Sequence, residues 1–235
     1  MKIAVDLCSG GHGWTSGLDP KKWTVISVEF NEKLDATIHA DLTDKMTFVK
    51  IQNELRKHNR LFPDLILFSP ECKSFSIAGC RAHWTPPPER NPKSLAAVKG
   101  LNLVHSGLDI IRMFTDIARP TDEVLWVMEN PVGLLRKMEC VEKKVNTMGA
   151  TRHTVAYCQY GHTTQKPTDL WTNISWWKPR PMCKRGSPCH EAAPRGSRSG
   201  IQKSMSYLSR SLVPEELSRE VGEVCLNTNF GPQWM

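Results

Sequence analysis

A single cysteine follows a short stretch that is typical of a buried strand. The run Leu65–Phe68 is apolar throughout, as in strands that are buried on both faces of a sheet. Pro70 ends the run, and Cys72 lies just beyond it in a turn of small and polar residues. In open α/β sheets, ligands and catalytic groups gather at the edge formed by the carboxyl ends of the strands, where this turn would lie. A thiol held there can act as a nucleophile if a neighbour lowers its pKa or accepts its proton, although many lone cysteines are structural.

A carboxylate follows another predicted strand. The apolar run Val124–Met128 is followed directly by Glu129, Asn130 and Pro131. If the two strands are parallel, Glu129 and Cys72 lie on the same edge of the sheet. Burial at that edge would raise the pKa of a carboxyl group and let it donate a proton or a hydrogen bond.

A glycine-rich turn near the start of the chain predicts a cofactor site. The predicted strand Ile3–Leu7 leads into Cys8–Trp14, which contains three glycines. A strand, a glycine-rich turn and a helix form the usual cradle for nucleotide-type cofactors. The next strand, Trp23–Val28, ends at Glu29, where an acid can accept hydrogen bonds from ribose hydroxyls. Asp41 provides a further carboxylate at a third strand end.

Alternating strands and helices must position these residues, which predicts an α/β fold. Apolar residues recur at steps of three and four through the longest predicted helix, and Pro120 ends it. The predicted helices cover Lys45–Leu61, Ser94–Ala118, Gly133–Val145 and Pro214–Asn227. The remaining predicted strands are His39–Leu42, Asp64–Phe68, His153–Tyr160 and Asp169–Trp176.

The charge distribution favours a polyanionic partner. Lys and Arg number 31 against 24 Asp and Glu, and residues 178–210 hold eight of these cations and one acid, so this segment accounts for the net charge of +7. Basic side chains spaced by glycines suit a phosphate backbone, although a solvated surface is the alternative. The polar, proline-rich loop Gly79–Lys93 combines cations with Trp84, as phosphate contacts and base stacking require.

The eight cysteines are scattered along the chain, which indicates reduced thiols in an intracellular protein. Cys183, Cys189 and His190 raise the question of zinc, but their spacing is not that of a standard zinc finger and a fourth ligand, Cys158 for example, would have to come from afar. We expect a loop without metal, and zinc remains the alternative. No apolar run approaches membrane-spanning length, and we expect no signal peptide.

Four signals in chain order resemble the DNA (cytosine-5)-methyltransferase family. Asp6–Trp14 looks like its first motif, Asp-Leu-Phe-x-Gly-x-Gly-Gly-Phe, and Pro70–Ser76 is similar to its nucleophile loop, Pro-Pro-Cys-Gln-x-Phe-Ser. Glu129-Asn130-Pro131 matches its Glu-Asn-Val signature except at the last residue, and Gln159-Tyr160-Gly161 followed by Gln165 completes the set. The resemblance covers roughly Met1 to Trp176, and the compact form looks most like methylase-like proteins encoded by bacteriophages.

The resemblance implies a Rossmann-like α/β fold with a mostly parallel sheet and helices on both faces, which binds S-adenosylmethionine. It implies that Cys72 attacks C6 of a flipped cytosine and that Glu129, with Asn130 beside it, holds N3. Glu29 would hold the ribose hydroxyls and Asp41 the adenine amino group. The implied cofactor-binding residues are Asp6, Cys8, Gly10, Gly13, Trp14, Glu29, Phe30, Asp41, Leu42 and Ser69.

The predicted nucleic-acid contacts combine the resemblance with the basic segments. They are Lys73, Ser74, Arg81, Trp84, Gln165, Lys166, Lys184, Arg185, Arg195 and Arg198. The chain departs from the family where two arginines are expected after Gln165, since Pro167 and Asp169 stand there. Lys166 or Arg81 would have to compensate.

We therefore predict a methyltransferase core over 1–176, a basic nucleic-acid-contacting segment over 177–210, and a C-terminal helix within 211–235 that packs back on the core. The predicted enzyme is a monomeric DNA (cytosine-5-)-methyltransferase that acts on double-stranded DNA in the cytoplasm of a bacterium or phage-infected cell. A partner subunit and an RNA substrate remain open. The alternatives are methylation of an exocyclic amino group, because Ser69–Cys72 partly resembles the Ser-Pro-Pro-Tyr loop of N4-cytosine enzymes, and a non-catalytic, nucleic-acid-binding relic of the fold.

Overall fold

A computed structural model describes residues 1–118, 122–184, 186–191 and 211–227. The described chain forms one seven-stranded sheet with the strand order β3-β2-β1-β4-β5-β7-β6. The first five strands are parallel, and β7 runs antiparallel to both β5 and β6. The strands are β1 (Lys2–Leu7), β2 (Trp23–Glu29), β3 (Ile38–His39), β4 (Leu65–Phe68), β5 (Leu125–Pro131), β6 (Thr151–Ala156) and β7 (Pro167–Thr172).

Helices cover both faces of this sheet, which confirms the predicted Rossmann-like α/β fold with a mostly parallel sheet. The α-helices are α1 (Met46–Lys57), α2 (Cys80–His83), α3 (Leu95–Ala118), α4 (Glu139–Thr147) and α5 (Glu215–Leu226). Two 3₁₀ helices cover Leu135–Lys137 and Tyr157–Tyr160. Among the described helices, none combines the length and the apolar character that crossing a membrane requires.

The central strands are apolar at consecutive positions because both of their faces are buried. Ile66 and Phe68 of β4 pack into the core cluster that includes residues of α1, α3 and α4. Leu65 and Leu67 point into the opposite cluster, which includes residues of α5. Alternate residues of one strand therefore belong to different layers, as the two-residue period of a strand requires.

The segment after β1 departs from the usual cofactor cradle, because a series of turns follows the glycine-rich stretch in place of a helix. Helix α5 packs against these turns. The Ser218 hydroxyl donates a hydrogen bond to the Trp14 carbonyl and accepts one from the Gly17 amide at 3.3 Å. A helix from the end of the chain thus covers the segment where the usual cradle has a local helix.

Several other boundaries also differ from the predictions. The loop Gly79–Lys93 contains the short helix α2, and the predicted strand His153–Tyr160 ends at Ala156, where the chain enters a 3₁₀ helix. The helix predicted from Gly133 begins only at Glu139, because Gly133 forms an isolated β-bridge with Ser76.

Candidate active site

The turn that carries Cys72 is held by contacts from one segment at the end of β5, residues 130–134. The Asn130 side-chain amide donates to the Pro70 carbonyl at 3.3 Å, and the backbone amide of Leu134 donates to the Phe75 carbonyl at 2.7 Å. Gly133 lies against the Phe75 backbone, where a Cβ atom would collide with the carbonyl. The turn is therefore fixed to the end of β5, and Cys72 itself is half-buried.

Glu129 is buried at the end of β5, and both of its carboxylate oxygens accept hydrogen bonds. Tyr157 donates its hydroxyl to one oxygen at 2.8 Å, and Ser69 donates its hydroxyl to the other at 3.1 Å. The Trp14 indole in turn donates to the Ser69 hydroxyl at 2.8 Å. This chain of hydrogen bonds links the glycine-rich turn to the acid and fixes the orientation of the carboxylate.

Cys72, Glu129 and Lys166 interact electrostatically. Burial raises the pKa of the Cys72 thiol to about 11, and the Glu129 carboxylate adds to the rise while the Lys166 ammonium opposes it. Burial lowers the pKa of Lys166, against the opposing effects of Glu129 and Cys72. The structure thus brings together the thiol and the acid that lie 57 positions apart in the sequence, and it adds an amine.

Lys166 occupies this site through an unusual backbone conformation. Its φ angle is +30°, a value that side-chain-bearing residues rarely adopt and that is often found at functional sites. The ammonium lies 4.4 Å from the centroid of the Tyr157 ring.

Asp169, where the family has an arginine, is buried and forms an ion pair with Arg136 at 3.0 Å. Lys166 is therefore the cation that the fold brings to Cys72 and Glu129, whereas Arg81 is exposed.

The glycine-rich turn and β2 meet at the predicted cofactor site. The Gly10 amide donates to the Glu29 carboxylate at 2.9 Å, and Gly10 adopts a φ of +51°. A Cβ atom on Gly10 would meet only the Cys8 carbonyl, at 3.9 Å, so this part of the turn faces open space. His12, which replaces a family glycine, has a φ of +60° and so keeps a glycine-like backbone.

The predicted cofactor site is rich in negative charge. Asp6 is buried, and neither of its carboxylate oxygens has a hydrogen-bond partner among the residues that the structure describes. Burial raises the pKa of Asp6 well above its usual value, and Glu29 raises it further. Burial also raises the pKa of the Cys8 thiol, with additional contributions from Glu29, Asp6 and Asp41.

These observations fit S-adenosylmethionine, which carries a sulfonium and an ammonium group. An unpartnered buried carboxylate favours a cationic ligand, because a buried charge needs a partner. Phe30, beside Glu29, is 72% exposed and offers a ring on which a base could stack. The Asp41 side chain is exposed and accepts hydrogen bonds from Thr43 at 2.8 Å.

Three predicted cofactor residues lie in the core. Gly13 is closely packed against the backbone of Leu212 and Val213, so its lack of a side chain serves the docking of the C-terminal segment. Trp14 and Leu42 are 2% and 5% exposed and belong to the two core clusters. Burial of these apolar side chains in the core contributes more favourable free energy than a position at the solvated edge of a cofactor would.

The predicted nucleic-acid contacts divide into exposed and buried residues. Lys73, Arg81 and Lys184 are exposed. Trp84 was expected to stack on bases, but it is only 3% exposed, packs on Phe75 and donates its indole N–H to the Ser74 carbonyl at 2.9 Å. It therefore stabilises the Cys72 turn.

Ser74 and Gln165 also make internal contacts. Ser74 is buried and donates its hydroxyl to Glu71 at 3.1 Å, and the Gln165 amide donates to the Cys183 sulfur at 3.2 Å. Both predicted contacts therefore have a role inside the protein. Arg185, Arg195 and Arg198 lie outside the described residues.

Sequence reasoning missed Tyr157, which donates a hydrogen bond to Glu129. Its position at the end of β6 was a usable signal, because strand ends gather at the sheet edges. The predicted strand continued to Tyr160, however, and that extension hid the break in the chain. The structure also places Cys158 beside Cys183, Cys189 and His190, a group that could hold a metal ion.

No family model and no curated protein matches the chain. Among solved structures, the Entamoeba histolytica methyltransferase EhMeth aligns over 77% of this chain and 55% of its own, with 12% identity and a TM-score of 0.49. The S. pombe Dnmt2 methyltransferase aligns over 76% and 51%, with 12% identity and a TM-score of 0.47.

An E. coli prophage protein described as a DNA modification methyltransferase aligns over 73% of this chain and 46% of its own, with 14% identity and a TM-score of 0.48. The chain therefore spans about half the length of the structures it matches. At this level of likeness, the argument for function rests on the arrangement of the site itself.

Proposed function

We propose that this protein is an S-adenosylmethionine-dependent methyltransferase that modifies C5 of cytosine in double-stranded DNA. The observation that carries the proposal is the electrostatic coupling of Cys72 with Glu129 and Lys166 at the carboxyl edge of the sheet. C5 of cytosine is a poor nucleophile until a thiolate adds to C6, and that addition needs an acid at the opposite edge of the ring. Few other reactions would require this pair.

The charges at the site provide a way to activate the thiol when the base binds. With a pKa of about 11, Cys72 is largely protonated at neutral pH, and the Glu129 carboxylate contributes to that. When Glu129 is protonated and donates a hydrogen bond to N3 of the bound cytosine, it carries no negative charge. Its contribution to the high pKa of Cys72 then disappears. Lys166 then favours the thiolate. Cytosine in the site would thus lower the pKa of the nucleophile that attacks it.

The covalent steps conserve atoms and charge. The Cys72 sulfur forms a bond to C6, and the Glu129 proton passes to N3 as electron density moves to C5. S-adenosylmethionine, when bound, supplies an electrophilic methyl group to C5. Loss of the C5 proton to a base then breaks the bond from sulfur to C6. The N3 proton returns to Glu129, which restores the aromatic ring, the acid and the thiolate.

The predicted cofactor residues that face the site would hold a cationic cofactor beside this reaction. Asp6 would pair with a positively charged group, Glu29 would accept hydrogen bonds from the ribose, and Phe30 would contact the adenine ring. Gly10 leaves room for the ligand to approach the backbone. Asp41 would accept a hydrogen bond from the adenine amino group.

The target base must leave the duplex stack to reach Cys72, which costs a few kcal/mol. Lys73 and Arg81 are exposed on the turn that follows Cys72 and on α2, where phosphate contacts could offset this cost. Lys184 provides a further exposed cation. The substrate is therefore proposed to be duplex DNA, contacted on both sides of the extruded base.

The proposal is tested with labelled S-adenosylmethionine and a DNA duplex that contains 5-fluorocytosine. Fluorine replaces the proton that must leave C5, so the reaction stops at the covalent adduct. We expect an adduct that survives denaturation and maps to Cys72, is absent in Cys72→Ser, and persists in Cys140→Ser, which removes an exposed cysteine on α4.

Three outcomes separate the alternatives. Labelled N4-methylcytosine in normal DNA, formed at full rate by Cys72→Ser, would establish methylation of the amino group. An adduct formed only with a 5-fluorocytosine RNA would establish an RNA substrate. Salt-dependent DNA binding without uptake of the cofactor would identify a non-catalytic nucleic-acid-binding protein.

A further inference from the structure

Three cysteines and one histidine converge beside the candidate active site, although 32 positions separate the first from the last. They are Cys158 in the 3₁₀ helix after β6 and Cys183, Cys189 and His190 in the segment after β7. Their sulfur atoms and one histidine nitrogen all lie within 4.8 Å of one another. Cys158 is buried and the other three are half-buried.

The individual separations fit tetrahedral coordination. The Cys158 sulfur lies 3.3 Å from that of Cys183 and 3.6 Å from that of Cys189. His190 Nδ1 lies 3.7 Å from the Cys183 sulfur and 3.5 Å from the Cys189 sulfur. Ligands about 2.3 Å (sulfur) and 2.0–2.1 Å (nitrogen) from a tetrahedral zinc would be about 3.8 Å (S to S) and about 3.5 Å (S to N) apart.

Two glutamine side chains lie outside these four groups and point toward the sulfurs. Gln159 donates its amide to the Cys189 sulfur at 3.2 Å, and Gln165 donates its amide to the Cys183 sulfur at 3.2 Å. Hydrogen bonds of this kind stabilise the negative charge of a metal-bound thiolate and orient it. A chance group of neutral thiols has no need of two such donors.

A disulfide does not account for the group. All four residues are positioned toward one centre, whereas a disulfide would join two sulfurs at about 2.05 Å and leave a third cysteine unpaired. The cysteines here are free, and the 3.3 Å between the Cys158 and Cys183 sulfurs is well beyond a covalent bond. One central ion satisfies all four groups at once.

We propose that Cys158, Cys183, Cys189 and His190 bind one structural zinc ion. Four protein ligands complete the tetrahedron and leave no open position for substrate or water, which is typical of structural and not catalytic zinc. Sulfur and imidazole ligands favour zinc over magnesium or calcium, which prefer oxygen.

The zinc site would fasten the segment after β7 to the active site. Cys158 directly follows Tyr157, which donates to Glu129, and Gln165 directly precedes Lys166, which interacts with Cys72. The Glu191 amide also donates to the Thr163 carbonyl at 3.0 Å. The metal would therefore join the first part of the basic segment to the turn that carries Tyr157 and Lys166.

The first experiment measures metal in the full-length protein, purified under reducing conditions without chelator and without added zinc. We expect one zinc per chain by elemental analysis, with near-complete loss in Cys183→Ser and Cys189→Ser. Cys140→Ser is the matched control and should retain the metal, because it removes an exposed thiol outside the group.

The second experiment replaces zinc with cobalt(II), whose visible spectrum reports its coordination. We expect intense tetrahedral ligand-field bands and a sulfur-to-cobalt charge-transfer band. His190→Cys should keep the metal and strengthen the charge-transfer band, since it offers a fourth sulfur. His190→Ala should weaken binding.

A third measurement keeps the test informative if a cysteine variant fails to fold. In the unaltered protein, mass spectrometry after brief alkylation should show Cys158, Cys183 and Cys189 protected and Cys140 modified, with the protection lost on adding a strong chelator. Folded, reduced protein that contains no metal, takes up no cobalt and loses all three thiols to alkylation without chelator would overturn the proposal. None of these readouts depends on methylation, so the outcome is independent of the proposed function.

Discussion

Four of the eight cysteines lie in two contrasting environments. Cys72 is a lone thiol that interacts with a carboxylate and an amine, and its pKa of about 11 reflects burial and the charge of Glu129. Cys158, Cys183 and Cys189 instead lie against one another and a histidine. The same functional group is therefore prepared for covalent chemistry in one region and for metal binding in the other.

The comparison shows that the neighbours of a thiol decide what it can do. A lone sulfur facing an acid and a cation can be switched between thiol and thiolate by a ligand that changes the charge of the acid. Sulfurs grouped at about 3.5 Å repel one another once ionised, and only a cation among them removes that repulsion. Each proposed role involves a group from outside the chain: a cytosine base and a cofactor in one region, and an ion in the other.

The largest expected effect separates the two kinds of cysteine. Cys72→Ser should lower cytosine methylation on the order of 10³-fold or more, because a serine hydroxyl without a strong base is a poor nucleophile. Methyl transfer is measured with labelled cofactor, and bound zinc by elemental analysis. Zinc should remain at the level of the unaltered protein, and a loss of zinc in this variant would contradict the separation of the two regions.

The next effect concerns the acid opposite Cys72. Glu129→Gln should lower methylation about 10²- to 10³-fold, because the proton donor to the base is lost. The same change removes a negative charge, so the pKa of Cys72 should fall from about 11 toward its usual value. The rate of Cys72 alkylation, followed against pH by mass spectrometry, measures this shift. An unchanged profile would mean that Glu129 does not act on the thiol.

Removing the Lys166 amine should shift the pKa of Cys72 by less than the Glu129 variant does, and in the opposite direction. Lys166→Met keeps the length of the side chain and removes its charge, so the pKa of Cys72 should rise above about 11. Methylation at neutral pH should fall on the order of tenfold if the pKa rises by about one unit. Lys166→Arg serves as the control, since it keeps the charge and should restore most of the activity. A Met variant with normal alkylation and activity would exclude the proposed role of the amine.

The smallest expected effect concerns stability at the cofactor site. Asp6 has a pKa above its usual value because it is buried, so its ionisation opposes folding. Its contribution to stability is fully present below the ordinary aspartate pKa and is lost as the pH rises through the higher folded value. Without cofactor, Asp6→Asn should therefore be more stable than the unaltered protein at neutral pH, by about 1 kcal/mol, and less so in acid.

Denaturant unfolding of both proteins at several pH values measures this difference. S-adenosylmethionine should stabilise the unaltered protein and stabilise Asp6→Asn less, since the variant lacks the carboxylate that would pair with a cationic ligand. Equal stabilisation of both proteins by the cofactor would show that Asp6 does not contact it.

Much of the sheet was predictable because its strands are marked by local signals. The runs at β1, β4 and β5 are apolar at consecutive positions, and a glycine turn or a proline follows each run. Burial on both faces requires such runs, and parallel strands bring their carboxyl ends to one edge. The proximity of Cys72 and Glu129 follows from these two facts.

Other expectations failed because exposure has no local signature in a loop. Trp84 stands among prolines and cations, yet it is buried against Phe75. Gly13 belongs to a glycine-rich motif, yet its close approach is to residues 212–213 and not to open space. In both cases the partner lies elsewhere in the chain, and no pattern within the motif indicates it.

The sequence by itself determined the strands, the long helices and the order in which a glycine turn, a thiol and an acid follow them, because period, apolarity and turn residues act over a few positions. Only the tertiary structure decided that Lys166 lies beside Cys72, that Tyr157 bonds to Glu129 and that Cys158 joins Cys183, Cys189 and His190. These contacts depend on the antiparallel pairing of β7 with β5 and β6 and on the path by which the segment after β7 returns to the sheet. Such long-range approaches are set by the packing of the whole chain.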